Sequence, residues 1–267
     1  PPFIERTIAA AEEADAAAII FEINTFGGRV DGATSIKNSI LSVDTSITTV
    51  AFIKGEAASA GALISLSCEK IIMSKGASIG AATAVDMQGN KASEKVISYM
   101  RSMMSSTAEA RGRNSIIAEA MVDEEISFDT LVVDGVTLIV DDVQGAKEGK
   151  LVTLSTDKAL KYNIADDKAE TIDEVLAILG LSHASIRSAN ENWSENFVRF
   201  LTNPIVASLL TTFGFLGILF ELQSPGWGIP GFVGLACLIL SLGASYIVRL
   251  ATLTDLLIVF VGVVLLL

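Results

Sequence analysis

The chain has 267 residues, 51% of them hydrophobic, with 19 basic against 31 acidic side chains and a mean hydropathy of +0.53. An acidic surface of this kind argues against nucleic acid as a partner and against docking on anionic lipid through charge. Two cysteines and one histidine, His183, exclude a four-ligand zinc site and a histidine-rich metal centre, so no metal and no cofactor is expected.

The hydrophobic excess is not spread evenly. Beyond Asn203 the charged side chains are Glu221, Arg249 and Asp255 alone, so an acidic soluble part precedes a membrane part. Cys68 falls in the first and Cys237 in the second, and no disulfide between them is expected. Pro1-Pro2 opens the chain with no Met, basic stretch or apolar leader, and the apolar run at Leu267 breaks off in mid-course. The chain is therefore expected to continue past both ends.

In chain order, residues 3–14 have helical composition. The apolar run Ala16–Asn24, soon followed by Gly27-Gly28, predicts a buried strand and a turn. Asp31–Leu41 is helical again and Thr48–Ile53 is a second strand. The small-residue stretch Ala57–Leu66 predicts a buried helix, Lys70–Ser74 a third strand and Gly76–Ala82 a loop. Glu94–Arg111 carries Val96, Ile97, Met100, Met103 and Met104 at helical spacing. Strand-like runs at 136–140 and 150–155 and helices at 156–162 and 171–179 follow. Strands alternating with helices predict a mostly parallel α/β sheet with right-handed crossovers.

Residues 182–203 form an amphipathic lead-in with Trp193, Phe197 and Phe200 as interface anchors. Pro204–Leu222 and Phe232–Val248 each have the length of a bilayer-spanning helix, separated by the Gly/Pro-rich turn Ser224–Gly231, and Leu253–Leu267 begins a third. The expected domains are thus 1–181, a linker over 182–203, and a membrane domain over 204–267. With Arg249 as the single basic residue of the membrane block, charge bias leaves the topology open.

Chemistry concentrates in two segments, Thr25-Phe26-Gly27-Gly28 at a strand end and Gly55–Ala62 at a helix start. Both lie at the C-terminal edge of a parallel sheet, where open α/β proteins place their sites. A serine at a helix N-terminus, here Ser59, has free backbone N–H groups and the positive dipole end beside it. On local features alone, a serine in a buried small-residue helix is the commoner occurrence, and Ala57 departs from the G-x-S-x-G elbow.

Together the two segments resemble the ClpP-class peptidases, and within them the NfeD family of membrane proteases related to signal peptide peptidase A. The similarity extends to Ala77–Ala82, to Lys95, Tyr99, Arg101 and Gly112-Arg113-Asn114, and to Glu221–Gly226. It implies a ClpP/crotonase-like α/β domain followed by an α-helical transmembrane domain. It also implies a serine endopeptidase with Ser59 as nucleophile and the backbone N–H groups of Gly28 and Ala60 as oxyanion hole. ClpP-type enzymes carry a histidine some twenty-five residues after the serine; Gly80–Asp86 holds none. Lysine is then the base, and of Lys70, Lys75, Lys91 and Lys95 the family pattern before Gly112-Arg113-Asn114 favours Lys95 over Lys91.

Phe26 stands where the family has proline, compatible with an apolar pocket wall. An extended apolar peptide is expected along Phe26, Gly27, Arg29 and Val30, with Val85–Ala92 a short, mobile loop beside it. The resemblance further implies a stomatin/prohibitin-type (SPFH) membrane partner and a bacterial inner-membrane location with the protease domain extracytoplasmic. The strand that this fold is expected to carry before Phe3 is missing, which would leave an open sheet edge unless a neighbouring chain covers it, so homo-oligomerisation is expected. A non-proteolytic membrane scaffold in an SPFH complex is the alternative. An acyl-CoA enzyme of the crotonase branch is disfavoured by the acidic surface, the membrane spans and the lack of a basic nucleotide site.

Overall fold

Alternation of apolar residues gives the first strand its inward face. Helix α1 (Pro2–Glu13) leads into β1 (Ala18–Thr25), in which Ile19, Phe21 and Ile23 are buried and Glu22 and Asn24 exposed. Helix α2 (Val30–Leu41) then crosses to β2 (Thr48–Ala58), parallel to β1 with Ile20 opposite Val50. Val50 to Ile53 are all fully buried, as expected of a central parallel strand covered on both faces. The computed structural model describes residues 1–85, 89–133, 135–147, 149–190, 193–223, 228–247 and 253–266. Its described residues divide into two compact units that part between Arg187 and Ser188.

In the first unit β2 is longer than its apolar run suggests, continuing through Gly55 to Ala58. The helix after it, α3 (Ala60–Ser67), starts three residues later than the small-residue composition predicts. The reason is a partner that composition does not reveal. Within Gly76–Ala82, expected as loop, Ser78–Gly80 forms strand β4 and pairs in parallel with Glu56–Ala58. The first half of β2 has β1 on one side and β3 (Lys70–Met73) on the other. Strand β8 (Asp167–Lys168) extends the sheet beyond β3, and β7 (Thr153–Ser155) pairs antiparallel with β4. The six-stranded sheet therefore runs β7-β4-β2-β3-β8, with β1 joined to β2.

Helices cover both faces of the sheet. Ile23, Ile53 and Ile79 pack with Leu63 and Leu66 of α3 and with Ile97 and Met104 of α4 (Glu94–Ala110). Val50, Phe52 and Ile72 pack with Val175 of α7 (Ile172–Ile178) on the other face. Each such side chain, fully withdrawn from water, contributes roughly 1.5–3 kcal/mol. Val96 was expected on the apolar face of α4 but is exposed. Helix α5 (Ser115–Ala120), capped by the Asn114 carboxamide, and strand β5 (Thr130–Val133) have no counterpart in the sequence expectations. Strand β6 (Val136–Ile139) completes a two-stranded antiparallel sheet with β5, and α6 (Thr156–Lys161) follows β7.

The second unit is helical: α8 (Trp193–Leu201), α9 (Pro204–Leu222), α10 (Ile229–Ile247) and α11 (Leu253–Leu266). Helices α9 and α10, 19 residues each, are long and apolar enough to cross a bilayer. Asn203 caps α9 by accepting the Ile205 amide at 3.0 Å. Gly214, Gly217 and Gly234 bring α9 and α10 so close that a Cβ on Gly217 would stand 2.6 Å from the Pro230 carbonyl oxygen. Helix α10 begins at Ile229, earlier than the Gly/Pro-rich composition suggests, because Glu221 reaches across from α9. Its carboxylate accepts the Gly228 amide and, at 2.9 Å, the Gly231 amide, satisfying donors at the start of α10. The rest of the expected turn, residues 224–227, lies outside the described residues.

Candidate active site

The two glycine- and serine-bearing segments meet because β1 and β2 change register. After Ile23 faces Ile53, the next pair is Thr25 with Ala57, so β2 bulges by two residues. Asn24 spans the bulge, its Oδ1 accepting the Glu56 amide at 3.1 Å. Gly55 leaves room for that oxygen, since a Cβ there would come within 2.6 Å of it. The Thr25 hydroxyl accepts from the Gly27 amide at 3.1 Å and donates to the Gly27 carbonyl at 3.0 Å, fixing the turn that leaves β1. Gly27, at φ 141°, then lies against the nucleophile candidate: a Cβ on it would stand 2.9 Å from Ser59 Cβ and 3.3 Å from Ser59 Oγ.

Ser59 occupies the single residue between β2 and α3, with φ 55° and ψ −115°. Such a conformation costs on the order of 1–3 kcal/mol in a residue with a side chain. Strand, strained serine, helix is the geometry of a nucleophile elbow, and Ala57 is tolerated at its first small position. Gly61 answers to close packing instead, since a Cβ there would meet Thr25 Cγ2 at 2.7 Å. The Ser59 amide donates to the Gly80 carbonyl at 3.0 Å, and its carbonyl accepts from the amides of Ala62 and Leu63. The Gly28 and Ala60 amides donate to none of the described residues. These two residues are neighbours across the turn, since a Cβ on Gly28 would lie 3.6 Å from Ala60 Cβ. Two unengaged N–H groups at a helix start beside a strained serine can stabilise a developing oxyanion.

An open cleft of about 900 Å³ runs over Ser59. One wall is Gly28–Asp31 with Thr34, Ser35 and Asn38 of α2; the other is Thr83–Val85 and Tyr99 of α4. Among the described residues Arg29 and Asp31 are its charged lining, and they pair with each other at 2.6 Å. The hydrogen bond from Arg29 holds the Asp31 carboxyl below its ordinary range, and both groups are exposed. The described lining of the cleft thus presents little net charge.

Val30 and Arg29 line the cleft, as do Gly28 and Ser59, whereas Phe26 is 83% exposed and outside its lining. Lys95 is exposed in the first turn of α4 and has no hydrogen bond or ion pair with any described residue. It stands one turn before Tyr99, on the same side of the helix that Tyr99 presents to the cleft. Lys91 is engaged elsewhere, its ammonium 3.0 Å from the Glu124 carboxylate, which raises its pKa. His183 is exposed in the segment after α7. Of the Val85–Ala92 loop, residues 86–88 lie outside the described residues. Its described ends are tied together by a Val85–Lys91 bridge and by the Ala92 amide on the Ala84 carbonyl at 3.0 Å.

Residues 1–189 match the NfeD1b N-terminal domain and residues 205–267 the NfeD integral membrane domain. The chain belongs to the NfeD family. Membrane protein NfeD1b of Bacillus subtilis is 35% identical over 265 residues, covering 99% of this chain and 57% of the relative. Membrane-bound protease PH1510 of Pyrococcus horikoshii is 27% identical over 260 residues, covering 89% and 53%. The chain therefore spans about half the length of the curated relatives it matches. Among solved structures, a serine-to-alanine mutant of the 1510-N membrane-bound stomatin-specific protease superposes with a TM-score of 0.52 at 28% identity. That superposition covers 65% of this chain and 74% of that one. A lysine-to-alanine mutant of the same protease, in complex with a substrate peptide, gives 0.55 at 24% identity over 74% and 89%, a likeness of fold. The N-terminal unit of this NfeD protein is a ClpP-like α/β domain, and an apolar helical membrane domain follows it.

Sequence reasoning placed Thr25 in the glycine segment but gave neither Asn24 nor Thr25 a part in setting the turn, and gave Gly80 no part as acceptor for the Ser59 amide. Asn-Thr at the end of an apolar strand, directly before a glycine pair, was the available signal for the first two. For Gly80 it was its place in the Ala77–Ala82 segment, which carries the family resemblance.

Proposed function

We propose that this chain is the protease part of a membrane-anchored serine endopeptidase working through a Ser59–Lys95 dyad. The observation that carries this reading is Ser59 itself, strained at a strand–helix turn beside the amides of Gly28 and Ala60, which no described residue engages. Lys95 takes the proton from Ser59 Oγ as that oxygen attacks the scissile carbonyl. The tetrahedral oxyanion is held by the Gly28 and Ala60 amides, and Lys95 hands its proton to the departing amine. Water then clears the acyl-enzyme with the same lysine as base. A general base must shed its proton, and Glu124 holds Lys91 in the charged form, which supports Lys95 in the role. Lys95 makes no such ion pair with any described residue and stands one turn before the cleft-lining Tyr99.

The substrate is an extended, apolar segment lying along Gly27–Val30, and the weak net charge of the described cleft lining favours this. PH1510 is named for membrane-bound proteolysis, and the 1510-N structures for stomatin specificity. By that relationship the partner here is a stomatin/prohibitin-type membrane protein. The protease domain covers 1–181 and the membrane domain 204–267. It sits outside the cytoplasm on the bacterial cell membrane, in a homo-oligomer.

The test is fluorophosphonate labelling and cleavage of an apolar peptide by wild type, Ser59→Ala, Lys95→Ala and Lys91→Ala. Ser59→Ala should abolish both signals, Lys95→Ala should lower the rate about 10²–10⁴-fold, and Lys91→Ala should leave it near wild type. Full activity in either dyad variant sinks the dyad. An unreactive wild type favours the scaffold reading instead.

A further inference from the structure

We propose that Gly145, which touches neither the cleft nor Ser59, is a positioning residue for Ser59. It acts through the backbone of Leu151–Thr153 and through Gly80, and this role rests on the reading of Ser59 as nucleophile. The strained turn at Ser59 is held from one side by a single backbone bond, its amide to the Gly80 carbonyl at 3.0 Å. Gly80 has no slack of its own. At φ 141° it adopts a conformation that side chains disfavour, and a Cβ on it would fall 2.3 Å from the Val152 carbonyl oxygen and 2.8 Å from Thr153 Cα. Gly80 pairs with Thr153 across β4 and β7, and the next amide, Ala81, donates to the Val152 carbonyl at 3.0 Å.

The same short stretch of backbone is met by a second glycine. Gly145 lies in the 3₁₀ turn Gln144–Ala146 and is buried. A Cβ on it would fall 2.3 Å from the Leu151 carbonyl oxygen and 2.4 Å from Val152 Cα. Its φ is not in the left-handed region, so space, not backbone freedom, demands glycine here. Backbone meets backbone at both contacts, with no flexible side chain between to absorb a shift. A methyl at 145 would push residues 151–153, and with them Gly80, by the order of an ångström. The acceptor that holds Ser59 in its strained conformation would move. Misplacement on that scale costs about 100-fold in rate when the reacting groups are otherwise intact.

The test compares three variants of the full chain in detergent, each read for labelling rate, peptide kcat and KM, and Tm. Gly145→Ala is expected to lower labelling and kcat about 100-fold with KM little changed. Two controls lose stability without shifting this backbone. Gly149→Ala, in the same loop at φ 81°, has open space around the new methyl. Val152→Ala removes a fully buried side chain but keeps the backbone bonds. Both should lower Tm and label near the wild-type rate. A Gly145→Ala protein that labels like wild type, or three variants that lose labelling in step with Tm, overturns the proposal. Hydrogen exchange on the wild type decides the matter if Gly145→Ala does not fold. The amides of Ser59 and Ala81 should open as one unit, and Ser59 remaining protected while Ala81 exchanges would overturn the coupling. An unreactive wild type fails the nucleophile reading itself, and the exchange result still stands apart from it.

Discussion

At Ser59 the surroundings that matter are backbone groups: the Gly80 carbonyl on its amide, Gly27 against its side chain, and the Gly28 and Ala60 amides, which no described residue engages. Thirty residues of sequence separate the two halves of that arrangement, and Asn24 with Thr25 brings them into register. The buried thiol of the domain, Cys68, is treated in the opposite way. It is fully buried at the C-terminal end of α3, and burial pushes its thiol up to about 12. A thiol with a raised folded-state pKa favours the folded chain fully below the ordinary thiol pKa. That contribution is lost as pH rises from there towards 12. Cys68 should therefore resist iodoacetamide at pH 8 in the native protein and react once the chain is denatured. Peptide mapping checks this, and native-state alkylation at the rate of a free thiol would contradict the burial.

Among the elements, α9 and α10 show how apolar helices with little polarity to guide them find one packing. Small residues let the backbones approach where no water-driven force acts between helices. Gly214, Gly217 and Gly234 do so here, and the Thr211 and Ser241 hydroxyls meet at 3.0 Å further along the pair. A Thr211→Cys, Ser241→Cys double variant in a Cys237→Ser background should cross-link within the chain. Adding Gly234→Leu should abolish that cross-link, because its side chain has no space against Gly217. A cross-link of unchanged yield would mean that the glycines do not set the packing. Glu221 acts at the end of the same hairpin. Removing its carboxylate leaves the Gly228 and Gly231 amides unpaired, a loss of about 1–3 kcal/mol.

For the whole molecule, the division between Arg187 and Ser188 separates a sheet-based unit from a helical one, and residues 182–190 are exposed throughout. Brief trypsin treatment of the detergent-solubilised chain should cut first at Arg187. The fragment before it should stay soluble, keep its circular dichroism spectrum and label with fluorophosphonate. Loss of structure on that cut would mean that the N-terminal unit depends on the membrane part. First cleavage within residues 1–181 would show that the exposed segment is not the weak point.

By itself the sequence determined the features that depend on local composition. The charge-poor stretch after Asn203 marked the membrane part, and Pro204–Leu222 matches α9 residue for residue, because Asn203 and Pro204 are a cap and a first-turn residue. Apolar runs likewise located β1 and α4, and the paired motifs at Gly27-Gly28 and Ser59 located the candidate site. What only the tertiary structure decided depends on pairs of segments far apart in the chain. No periodicity signals that β2 runs on to Ala58, since its partner there is a three-residue strand hidden in a loop-like composition. Nor does any local feature distinguish Gly145 from Gly149. One is required by a backbone six residues on that packs within van der Waals distance, the other by its own positive φ. Close approach between backbones is a property of the fold and leaves no mark on composition.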